Sequence, residues 1–458
     1  MQDIIRAVDA HREMILKAER DIWATPELGY KEWRTSEYME KRFEELGYRI
    51  TKAGNIPGFY TVVDTGREGP EVLVLAELDA VICFSHPNAD PETGAVHACG
   101  HNAECAAMLG VAAALRDEAV LSKMSGRIRL CVVPAEEAIE TEYRASLRDK
   151  GVIKYLGGKS EFLSRGYFDG VDMAFMVHIV GGATDATNSG AFVNIGGGSL
   201  GFISKIVTYK GVAAHAGGAP WLGKNALYAA MGGLNSSNAI RETFKDADHV
   251  RWHPIITSGG DMVNNIPEKV VVEGMLRAAT SEALLYENAK IDRALIGAAI
   301  SHGAQIEICD EPGYAPLRHD ANLGEVMKDA YNLLAPETNL RRKECSCSFG
   351  NIGGGSMDLG DLTSIMPTSH PYISGSVGKG HGNDYFMVDA ETSCVTNAKW
   401  QVMILKGLLE NGAKRAKYII DNYDAPFKCK EDFLAVQDKM RKSGDRIEYR
   451  DDGTIVIK

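Results

Sequence analysis

The chain has 458 residues, well beyond the roughly 250–300 at which one hydrophobic core stops growing, so two domains are expected. Its 50 basic and 62 acidic residues give a net charge of −12, which argues against nucleic acid as a partner because phosphate binding needs a basic surface. Nine cysteines at irregular spacing do not make a secreted disulfide framework, the first 23 residues are charged throughout, and no run of about 18 apolar residues occurs. The expectation is a cytoplasmic protein that acts on a small molecule and has no membrane partner.

In chain order, Ile4, Ile5, Val8, Ile15, Leu16, Ala18 and Ile22 recur at helical spacing, until Pro26 and Gly29 break the pattern. A further helix carries Tyr38, Met39, Phe43 and Leu46 and stops at Gly47. The β-branched runs GFYTVVDT and EVLVLAEL predict strands, the second leading into Glu77 and Asp79. After a loop rich in Ser, Pro and Asn come His-Ala-Cys-Gly-His-Asn at residues 97–102 and a small-residue helix, AECAAMLGVAAAL. Strand RIRLCVVP runs into Glu136 and Glu137, and strand VDMAFMVHIV ends near His178. This strand–loop–helix alternation signals an α/β sheet, and its polar residues gather at carboxyl ends of strands, where ligands bind in open α/β sheets.

The middle differs. A strand and turn (GFISKIVTYKGVAAHAG), a helix after Asn225, strands in HPIITSGG and KVVVEGMLRAAT, and the helix SEALLYENAKIDRALIGAAISHG form a β-α-β-β-α order. The expected division is a catalytic part at 1–199, an inserted smaller α+β domain at 200–313, and a second catalytic part at 314–458. That last part holds a helix at 322–334, a Gly- and Ser-rich segment, His370 and His381, a helix from Cys394 to Asn411, and a C-terminal hairpin with a DDG turn.

Cys99 and His101, two apart at a strand-to-helix loop, can point into one cavity and supply a thiolate and an imidazole, which suit zinc and similar metals. The helix after them is expected to present its N-terminus to Cys99 and favour the thiolate. A Cys-x-His pair alone is equally compatible with a packed loop. Glu136 and Glu137 follow a strand, where neighbouring side chains point in opposite directions, so one carboxylate can bind metal while the other acts as general base. A surface acid pair is the plainer reading. His178 lies in an apolar run and can be an ordinary core histidine, whereas Asp79 is placed to orient a ligand from behind.

As an ordered set, Glu-Leu-Asp-Ala, His-Ala-Cys-Gly-His-Asn, Pro-Ala-Glu-Glu, Val-His and Ala-His-Ala-Gly-Gly-Ala-Pro resemble the M20 family of metallopeptidases. The amidohydrolase branch is closest, with its hydrolases of p-aminobenzoyl-glutamate and of auxin–amino acid conjugates. The resemblance spans nearly the whole chain. It implies a mixed-sheet α/β catalytic domain with an inserted lid or dimerisation domain, two divalent metals (zinc or manganese, with cobalt as an alternative) and a homodimer. It places Cys99, His101, Glu137, His178 and His381 at ligand positions, with His370 a competitor for the last. Glu136 falls on the general base, and His215 and Asn265 on polar positions of the inserted domain that serve catalysis. The chain departs from the family at Asn102 and Glu104, where many relatives read Cys-Gly-His-Asp-x-His. Asp358 and Asp361 either line the pocket or brace their loop. The implied function is hydrolysis of an amide-type C–N bond in an N-acyl or N-aryl amino acid or a dipeptide-like molecule. Hydrolytic deamination of an aminoaromatic compound, a catalytically silent binding protein and a metal-free thiol redox site are the competing readings.

Overall fold

The computed structural model describes residues 1–181, 190–343 and 352–458. Parts of the Gly- and Ser-rich segment, Cys345 and Cys347 among them, lie outside the described residues. The chain divides into two compact units.

The first unit comprises Met1–Gly198, Arg318–Asn351 and Asp361–Lys430. Its centre is a six-stranded mixed sheet in the order Thr51–Lys52, Phe59–Asp64, Arg127–Val133, Glu71–Glu77, Met173–Phe175, Thr368–Ser369. Strand Glu71–Glu77 is buried at every position and runs parallel to both neighbours, which is why its sequence reads as an unbroken apolar run and not an alternation. Helix His101–Ala114 is buried at all fourteen residues, and its Ala- and Gly-rich sequence lets neighbouring elements approach closely. At Gly110 an added Cβ would lie 2.6 Å from that of Ala398. The N-terminal helices Gln2–Asp9, Arg12–Trp23 and Trp33–Glu45 and the segment Asn397–Asp421, helical on both sides of a kink at residues 410–413, contribute to the same apolar core.

One expected strand is two. The run around His178 splits into Met173–Phe175 in the central sheet and His178–Gly181 in a second sheet, where His178 pairs in parallel register with Tyr372. Periodicity could not reveal this, because the apolar run Met173–Val180 continues across the break with only His178 interrupting it.

The second unit comprises Ser199–Leu317, Ile352–Gly360 and Glu431–Lys458. It holds an antiparallel four-stranded sheet in the order Arg251–Ser258, Lys269–Ala278, Gly201–Lys210, Gln305–Pro312, with helices Ala226–Ala239 and Ser281–Ser301 sharing its core. The C-terminal segment, expected with the catalytic part, packs here instead. Met440 and Ile447 are buried in this core, and the Asp310 and Ile308 amides donate to the carbonyls of Lys442 (2.7 Å) and Gly444 (3.1 Å). The hairpin Ile447–Tyr449 and Ile455–Ile457 is formed as the DDG turn predicts.

Inside this unit Lys205 is fully buried and paired with Asp292 and Asp310. Lys442 also pairs with both aspartates, so removing Lys205 leaves two buried carboxylates to share one cation, and breaking a buried charge cluster costs about 3–5 kcal/mol. Lys205→Met is therefore expected to destabilise the protein by about that amount, read as a lowered midpoint in urea unfolding.

Candidate metal centre

Five carboxylates are buried at the carboxyl ends of the central strands and on the helix beside them: Glu77, Asp79, Glu104, Glu136 and Glu137. They are packed with His101, His178 and His381, with Cys99, and with two buried cations, Lys159 and Arg144. Burying a charge is costly unless it is paired, so such an excess of acid calls for further positive charge.

Asp79 organises the set. One of its oxygens accepts from the Glu137 amide (2.9 Å), and the other lies 3.3 Å from His101 Nδ1, which also meets the Asp79 carbonyl at 2.8 Å. Burial alone would push the Asp79 carboxyl up, but the hydrogen bond and charge of His101 outweigh it and hold it below the usual range. Gly100, at φ +92°, makes the turn between Cys99 and His101, and a Cβ there would lie 2.7 Å from both Ile179 and the Tyr385 hydroxyl.

Glu136 and Glu137 do not point apart. The chain leaves the strand at Val133, and Ala135 adopts φ +56°, a left-handed conformation that re-aims the two glutamates after it. Glu32 accepts from the Ala135 amide at 2.8 Å, and the buried Arg144 guanidinium donates to the Glu137 carbonyl. Ligand atoms of Glu136, Glu137 and His101 then fall within 4.8 Å of one another. His381, also left-handed at φ +63°, is pinned by its amide to the Ala98 carbonyl (2.8 Å) and forms a second group of the same span with Cys99 and Glu137.

His178 sits between Cys99 Sγ, 3.6 Å from its Nε2, and Glu104, which takes its Nδ1. His370 is buried and stacks on His178 with ring centroids 5.5 Å apart, but among the described residues it belongs to none of the ligand groups. Asn102 turns away to the Glu19 carboxylate at 2.9 Å, and Asp361 braces the Ser160 hydroxyl. Asp358 is fully buried. In the second unit His215 and Asn265 form a β-bridge, and His215 Nδ1 accepts from the Gly218 amide at 2.9 Å. That bond leaves Nε2 to carry the proton of the neutral ring.

The donor set fits divalent cations. His101 Nε2 and Glu77 Oε2 face each other at 3.0 Å, as do His381 Nε2 and Glu137 Oε1, yet His101 Nε2, Glu77 Oε2 and Glu137 Oε1 lack a partner in hydrogen-bond geometry among the described residues. Imidazole nitrogens and carboxylate oxygens that converge without bonding to each other are the donors a cation between them satisfies. Burial pushes the Cys99 thiol well up, and Glu137 adds to this. Three members of the cluster were absent from the sequence-derived site, Glu77, Arg144 and Lys159. Glu77 had a signal, since it stands two residues before Asp79 at the end of one strand and shares its side. Arg144, on helix Thr141–Asp149, and Lys159, on helix Gly158–Ser164, had none. Because Asp79 holds both His101 and the Glu137 backbone, Asp79→Asn is expected to weaken metal binding by roughly 10–100-fold without unfolding the chain, measured by metal titration beside circular dichroism.

Residues 73–399 match the model for peptidase family M20/M25/M40. The chain is 26% identical to the Xaa-Arg dipeptidase of Mus musculus, over 80% of this chain and 78% of that protein. It is also 26% identical to one subunit of the p-aminobenzoyl-glutamate hydrolase of Escherichia coli, over 67% of this chain and 60% of that subunit. The crystal structure of a Bacillus subtilis dinuclear metal-binding peptidase from family M20 superposes with a TM-score of 0.64 at 18% identity, covering 88% of this chain and 99% of that one. The matched range includes Asp79, Cys99, His101, Glu136, Glu137, His178 and His381, and a match over this length makes the chain a hydrolase of peptidase family M20/M25/M40.

Proposed function

We propose that this protein hydrolyses the amide-type C–N bond of an N-acyl or N-aryl amino acid or of a dipeptide-like small molecule. The observation that carries this reading is the pair of histidine–carboxylate contacts, His101 with Glu77 and His381 with Glu137, converging beside Glu136 without bonding to each other. Relatives named for a dipeptide and for p-aminobenzoyl-glutamate support the substrate class.

In this reading Cys99, His101, Glu137, His178 and His381 hold two divalent ions, zinc or manganese, with cobalt as an alternative. Such ions, when bound, supply Lewis acidity and lower the pKa of water towards neutrality. Glu136 takes the proton of the attacking water and returns it to the leaving nitrogen. Asp79 keeps His101 and the Glu137 backbone in register. His215 donates through its Nε2 proton to the charge growing on the carbonyl oxygen, with Asn265 as the second polar group of the inserted unit. The seven described cysteines are free thiols, which supports a reducing, cytoplasmic setting. Among the described residues, no helix is long and apolar enough to cross a membrane.

The inserted unit also supports a homodimer. Trp221, Leu222, Met262 and Val263, in the turns flanking His215 and Asn265, are all more than 60% exposed, an apolar concentration typical of an interaction surface.

A screen of N-acyl amino acids, p-aminobenzoyl amino acids and dipeptides, read by release of free amine, is expected to yield turnover that a chelator abolishes and added manganese or zinc restores. Glu136→Gln is expected to lower kcat by about 10²–10⁴ while metal content and fold stay unchanged. Near-normal turnover in that variant would refute the assignment of Glu136. Sedimentation equilibrium is expected to return twice the chain mass for the wild type and the single chain mass for Trp221→Glu combined with Met262→Glu.

A further inference from the structure

Glu104 departs from the sequence pattern of the family, and Glu77 has no place in the five-ligand set, yet both lie at the centre of the cluster. His101 and Glu104 are three residues apart on helix His101–Ala114 and so share a face. Glu77 ends the fully buried strand Glu71–Glu77, and His178 begins strand His178–Gly181. These three elements bring one ligand atom each of Glu77, His101, Glu104 and His178 within 4.8 Å of one another. Glu77, His101 and Glu104 are each no more than 2% exposed. Glu77 Oε2, Glu104 Oε2 and His101 Nε2 are buried without a hydrogen-bond partner among the described residues.

Charge points the same way. Lys159, itself fully buried, meets Glu77, and among the described residues Glu104 pairs with the His178 ring and with no lysine or arginine. Orphaned donors and acceptors at such depth each cost free energy, and several converging on one point describe a ligand shell. Cys99, Glu137 and His381 form a neighbouring group, and Cys99 Sγ also lies 3.6 Å from His178 Nε2.

We propose that Glu77 and Glu104 join His101 and His178 as ligands of one divalent ion, two carboxylates beyond the five residues of the proposed site. This rests on the di-metal reading of the proposed function. The position built from two carboxylates and two imidazoles accepts manganese, which prefers oxygen donors. Glu104 has two functions there: one oxygen fixes the ring of His178 through Nδ1, and the other faces the ion.

The test is equilibrium dialysis of the full-length protein against manganese alone, with elemental analysis, and in parallel the absorption spectrum of the cobalt-loaded protein. Glu104→Gln keeps an acceptor for His178 Nδ1 but loses the anionic ligand, and Glu77→Gln does the same at the strand end. Each is expected to weaken manganese binding at one position by at least about tenfold while the thiolate-to-cobalt charge-transfer band remains. Cys99→Ser is expected to lose the band, which identifies its thiolate as the source. Circular dichroism checks the fold of each variant, and if one does not fold the other decides. Wild-type manganese stoichiometry and affinity in the folded glutamine variants would overturn the inference and leave the hydrolase reading standing. A wild-type protein that binds neither manganese nor cobalt would overturn both.

Discussion

The Asp79 carboxylate is the contact on which the centre depends. Its two oxygens reach two different elements, the His101 ring at the start of the buried helix and the Glu137 amide after the neighbouring strand. Both reaches are fixed because Asp79 stands two residues beyond a strand that is buried throughout and parallel on both sides. A carboxylate in that place carries a desolvation cost that only hydrogen bonds and opposite charge can offset. The same bonds that offset it set the geometry of the groups around it.

Local strain accompanies this arrangement. Ala135 and His381 are non-glycine residues with left-handed backbones, and each is held by hydrogen bonds from groups distant in sequence: Glu32 and Arg144 around the first, the Ala98 carbonyl at the second. Conformations of this kind cost of order 1–3 kcal/mol each and persist where surrounding contacts over-determine them. Here the surroundings include a buried arginine and a buried glutamate whose role is to hold a turn. The turn brings Glu136 and Glu137 together with His101, which an extended backbone could not do.

The second unit follows a simpler logic. Its antiparallel sheet and two helices form a conventional α+β core, and the C-terminal segment is drawn to it by two buried apolar side chains and by the ion pairs of Lys442 with Asp292 and Asp310. His215 and Asn265 sit at the exposed end of this unit in paired backbone.

Much was legible in the sequence. The ordered motifs around Asp79, Cys99, His101, Glu136, Glu137 and His178 identified the family, because chemistry fixes residue types at strand ends more tightly than packing fixes residues within strands. The small-residue helix and the DDG hairpin were legible for local reasons, close packing and turn geometry. Other features were decided only by tertiary structure. The break before His178 lies between two equally apolar halves, so no periodic signal marks it. The C-terminal tail carries no local signature of which core it joins. Glu104 read as an ambiguous helix acid until folding placed it against a histidine 74 residues away in sequence. Glu77 and Lys159 gained meaning in the same way, since the cost of a buried charge exists only once the fold has removed the water around it.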